Sequence, residues 1–143
     1  MENTYLKYLK IISWIGGIYE ICFGFMMIFY VVPLLNLLGL NIIRLEYPIF
    51  AHTAGLLAIT LGLILFCSSF NVEKYLLNIL LIIVLRFTIQ LVLITNSLII
   101  PSMTIGLLIF GLIDLIFAII SIFLIKKSNL TFNIFSMIKK GET

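Results

Sequence analysis

Long apolar runs separated by brief polar punctuation set the pattern of this chain. Four runs reach bilayer length, at residues 11–32, 48–70, 75–98 and 103–125. A helix needs about 20 apolar residues to cross a hydrocarbon core of roughly 30 Å. Backbone inside lipid must also satisfy its own hydrogen bonds, so each run predicts a transmembrane α-helix. The breaks fall at residues that interrupt helices: Pro33 closes the first run, Pro48 opens the second, Asn71 to Lys74 makes a short turn, and Pro101 with Ser102 precedes the fourth. The expected fold is all-α, a single membrane domain over residues 1–143 built as a transmembrane antiparallel four-helix bundle.

Cations in the flanks orient this bundle. Lys7, Lys10, Lys74, Lys126, Lys127, Lys139 and Lys140 fall on one side, and Arg44 alone falls on the other. Because positive loops stay inside, both termini are expected to be cytoplasmic, in a cell (inner or plasma) membrane. Residues 34–46 interleave Leu and Ile with Asn36, Asn41 and Arg44. They are expected either to lie in the outer interface as an amphipathic segment or to cap the outer mouth of the bundle. The tail, residues 128–143, mixes Phe and Ile with Lys139 and Lys140 and is expected to rest on the anionic inner leaflet.

Composition sharpens this picture by exclusion. With 143 residues, 63% of them hydrophobic and 10% charged, the chain has too little polar surface to coat a soluble globule. Its net charge of +3 sits at the ends of apolar runs and forms no basic stripe, so no nucleic acid is expected as a partner; the bilayer is. The first run is 22 residues long, carries Glu20 and lacks a small-x-small cleavage site, which reads as an uncleaved span and not as a signal peptide. Cys22 and Cys67 form no C-x-x-C pair and fall at different depths, so they are expected to be free, buried, small hydrophobes.

Candidate chemistry is confined to ionisable residues inside the spans, one in each: Glu20, His52, Arg86 and Asp114. At 1.5 Å per residue, Glu20, Arg86 and Asp114 all lie about 15 Å from a helix end, near the bilayer midplane. A charge at that depth costs roughly 2.5–3.5 kcal/mol on insertion scales, so the three must turn inward and pair. The planar fork of Arg86 suits two carboxylates at once. Gln90, one turn beyond Arg86, and His52 nearer the outer surface suggest a polar track opening outward. Two carboxylates against one guanidinium leave one negative charge in excess, which a shared proton or a bound cation would neutralise. These five residues are the ligand- or proton-binding candidates. Trp14, Tyr19, Tyr30, Tyr47 and Tyr75 are expected to be interface anchors and packing residues. The chain has no H-E-x-x-H or G-x-S-x-G motif, no phosphate-cradling glycine loop and no zinc-like ligand set, so no catalytic residue and no metal site is inferred.

Gly17 and Gly24 in the first run, Pro33 followed by Leu38-Gly39-Leu40, and Gly55 with Gly62-Leu63 in the second resemble the DoxX-like and related small four-helix membrane families. That resemblance implies a compact antiparallel bundle. Some relatives are subunits of quinone-linked or redox-associated complexes, which implies quinone or lipid as a ligand. The stretch Gly16-Gly17-Ile18-Tyr19-Glu20 is also similar to the first helix of the small multidrug transporters. The expectation is therefore a small multi-pass membrane protein, without inferred catalysis, whose buried charges stabilise the bundle and bind a small hydrophobic, lipidic or cationic ligand. The alternative is a proton-coupled transporter of cationic compounds, and either protein could oligomerise through its glycine stripes.

Overall fold

The computed structural model describes residues 4–130. The chain forms α1 (Thr4–Phe29), the short α2 (Val31–Leu37), α3 (Ile49–Phe70), α4 (Leu76–Ile99), a single 3₁₀ turn (Pro101–Met103) and α5 (Thr104–Lys127). The described residues contain no strand. Four helices are long and apolar enough to cross a membrane: α1, α3, α4 and the 3₁₀ turn continued by α5. The tail expected over 128–143 lies outside the described residues from 131 onward.

The first helix differs from its apolar run at both ends. It begins at Thr4 and not at residue 11, because Leu6 and Leu9 stand three apart on one face between Tyr5, Lys7, Tyr8 and Lys10. Leu9 is fully buried, and Leu6 packs beside it. At the other end the helix stops at Phe29, before Pro33. Tyr30 leaves the helical region at φ −132° and caps α2, which puts Pro33 in the first turn of a new helix, where its missing N–H was unpaired in any case. Pro33 therefore belongs to the first turn of α2 and does not close α1.

Residues 34–46 divide into two parts. Leu34 and Leu38 are buried, and Leu38 packs with Met103 of the 3₁₀ turn and Leu107 of α5. Asn36 pins the loop by accepting the Ile42 N–H at 2.8 Å and donating to the Ile42 carbonyl at 2.9 Å. Gly39 has φ +105°, and any Cβ there would run into the Ser102 carbonyl oxygen, so only glycine lets the two connections interlock. Beyond the pin the chain is open: Ile43 is 99% exposed.

The spans associate as two close pairs. α1 packs most extensively on α3 and α4 on α5, while α3 meets α4 only thinly. Glycines bring α1 and α3 together: a Cβ on Gly17 would lie 2.8 Å from the Gly62 carbonyl oxygen, and one on Gly24 would lie 2.5 Å from that of Gly55. Gly17 opposes residue 62 and Gly24 opposes residue 55, so contact order on the two helices runs in opposite senses. Small residues allow this backbone approach, which apolar side chains in apolar solvent could not drive. Leu9, Val72, Leu76, Ile79, Leu124 and Ile125 form a core at the end carrying Lys7, Lys10, Lys74, Lys126 and Lys127. Leu38, Met103 and Leu107 form a smaller core at the opposite end.

Candidate functional site

Between those two cores, α1, α4 and α5 each contribute one charged residue to a common interior point. Arg86 is buried. Its Nη2 donates to Glu20 Oε1 at 3.2 Å, and its Nε lies 3.9 Å from Asp114 Oδ1. The second distance is an ion pair without a hydrogen bond, and both of its atoms are buried without a hydrogen-bond partner. The guanidinium thus serves both carboxylates, as its shape suggests, but through one atom each and not through a two-point fork.

Local sequence explains how the guanidinium is held. Gly16 precedes Glu20 by one turn on α1, and a Cβ there would stand 3.1 Å from Arg86 Nη2, so the absent side chain makes room for the cation. Phe117, three residues beyond Asp114 on α5, brings its ring centroid within 4.9 Å of the guanidinium carbon. Tyr19 stacks on Phe117 with centroids 5.8 Å apart. Gly16, Tyr19 and Phe117 belong to the site although the sequence did not single them out for it. Gly16 and Phe117 carried a signal, the i−4 and i+3 spacing from the carboxylates.

A cavity of about 290 Å³ adjoins the charges. Tyr19, Glu20, Arg86 and Asp114 line one side, and Phe23, Ala58, Leu61 and Phe110 are among its apolar walls. The cavity lies along the thin seam between α3 and α4, to which these helices contribute Leu57 and Ile89.

Gln90 and His52 do not extend the cluster into an outward track. Gln90 Nε2 donates to the Arg86 carbonyl oxygen at 3.1 Å, and its Oε1 lies against Gly111, so the amide is committed to its own helix and its neighbour. His52 is exposed in the first turn of α3 and does not line the cavity. Depth alone suggested the track, but neither side chain lines the cavity. Tyr19 is a packing residue, stacked on Phe117 and lining the cavity. Cys22 and Cys67 are free, and both are exposed on the outside of the bundle instead of buried in it. Among the described residues no three His, Cys, Asp or Glu side chains gather as a metal-binding group.

Four apolar helices enclosing a charge cluster define a small multi-pass membrane protein whose environment is a lipid bilayer. The chain matches no protein-family model, no curated protein and no solved structure.

Proposed function

We propose that this membrane protein, of DoxX-like type, binds a small hydrophobic or lipidic ligand in the cavity beside Glu20, Arg86 and Asp114, and that the same charges stabilise the bundle. The observation that carries the proposal is the placing of a buried, incompletely hydrogen-bonded ion cluster on the wall of an otherwise apolar cavity. A purely structural network would be expected to close its hydrogen bonds and exclude space. The bias of the flanking lysines supports a cytoplasmic placement of both termini in a cell membrane.

The test is the thermal unfolding midpoint in non-ionic detergent, with and without membrane lipid extract or quinone. Wild type is expected to be stabilised by the extract or the quinone, whereas a triple variant, Glu20→Gln, Arg86→Leu, Asp114→Asn, gains nothing. Equal stabilisation of both proteins, or of neither, contradicts ligand binding at the charges. The unbalanced carboxylate favours one other reading, a proton-coupled transporter of cationic compounds. On that reading Glu20→Gln abolishes transport and leaves the unfolding midpoint unchanged, whereas the structural role of Glu20 requires the midpoint to fall.

A further inference from the structure

The cavity shows an occupant its carboxylates more than its guanidinium. Of the three charged side chains, Arg86 is 5% exposed, whereas Glu20 keeps 18% and Asp114 15%. Gly16 backs the guanidinium and the Phe117 ring lies across it. The carboxylates are thus the members of the cluster that remain open. Two carboxylates and one guanidinium, all ionised, sum to one negative charge, and such a charge in a low-dielectric interior calls for compensation.

Two further features select what could supply it. Tyr19, Phe23 and Phe110 line the same cavity, and aromatic rings attract cations through their quadrupoles. The way in is apolar: the cavity-lining residues Leu57 on α3 and Leu85 and Ile89 on α4 are 59%, 41% and 37% exposed, so the cavity opens sideways through the thin α3–α4 seam. A small hydrated ion would have to shed its water in that slot, and an anion would meet the carboxylates.

We infer that the occupant of the cavity is a hydrophobic monocation, such as a substituted ammonium with an aromatic or alkyl body, that reaches Glu20 and Asp114 from the bilayer between α3 and α4. This rests on the cavity being a ligand site, and it adds the sign of the ligand's charge and its route of entry.

The experiment compares three probes of nearly one shape on the wild-type protein in non-ionic detergent: benzyltrimethylammonium, its neutral carbon isostere neopentylbenzene, and the anion phenylmethanesulfonate. Binding is read by titration calorimetry and by the shift in unfolding midpoint. The cation is expected to bind at least about tenfold tighter than the isostere, with no detectable binding of the anion. Asp114→Asn, which retains the Arg86–Glu20 pair, should lose that preference, and Ala58→Trp, which fills the cavity away from the charges, should lose the cation altogether. If the isostere binds as tightly as the cation, the charge inference is overturned while a ligand cavity stands. If no probe binds but lipid extract still stabilises wild type, the inference is again overturned. If neither probes nor extract act on wild type, the inference and the ligand reading fall together.

Discussion

Arg86 is held by what is missing as much as by what is present. Gly16 leaves the space that its guanidinium fills, with a would-be Cβ only 3.1 Å from Nη2. Gly16→Val should therefore push the guanidinium off Glu20 and lower stability by about 1–3 kcal/mol, the usual cost of overpacking a fitted interior. Chemical denaturation in detergent would measure it, and an unchanged midpoint would show that the guanidinium has room to spare. The charged trio was legible in the sequence because three midplane charges are too costly to face lipid, whatever the packing. Gln90 and His52 do not line the cavity, and depth along a helix says nothing about rotation around it. The exposure of Cys22 and Cys67 has the same origin: on an apolar helix surrounded by lipid, hydrophobicity no longer separates the inner face from the outer.

Helix boundaries depended on two different signals. The ends of α3, α4 and α5 at Phe70, Ile99 and Lys127 fall close to the ends of their apolar runs, and α5 carries Lys126 and Lys127 at its C-terminal end, where cations suit the helix dipole. The start of α1 was hidden because Leu6 and Leu9 are flanked by polar residues, so the run failed where the period of 3.6 still held. Pro33 marked a break correctly but is the third residue of the next helix. The α1–α3 seam yields the prediction at this scale. A Cβ on Gly24 would meet the Gly55 carbonyl oxygen at 2.5 Å, and backbone cannot swing aside as a side chain can. Gly24→Ala must part the two helices and should cost about 1–3 kcal/mol or more, despite the better helix propensity of alanine. A rise in the unfolding midpoint would mean that propensity, and not the seam, governs this position.

At the scale of the whole molecule, the class of the fold was the most legible feature and the cavity the least. Four bilayer-length runs require four helices, but equally apolar helices carry no mark of which pair packs closely. The close α1–α3 pair follows from where glycines meet glycines, on α5 Gly111 lies against Gln90 and Leu93 of α4, and the thin α3–α4 seam is where Leu57, Leu85 and Ile89 line the cavity. Capping by residues 34–40 could not be separated beforehand from an interfacial course, because leucine suits either. The end cores and the seam leave Glu20, Arg86 and Asp114 as the polar link among α1, α4 and α5 at mid-depth.

That link is tested most directly by the unfolding midpoints of wild type, Arg86→Leu, and the triple Glu20→Gln, Arg86→Leu, Asp114→Asn, compared in one detergent without added ligand. Removing one member of a buried ion cluster strands its partners and costs about 3–5 kcal/mol, whereas replacing the whole cluster with neutral groups recovers most of that loss. The account predicts a deep fall for Arg86→Leu and a midpoint close to wild type for the triple. A single variant as stable as wild type, or a triple lower than the single, would contradict the meeting of these three charges inside the bundle.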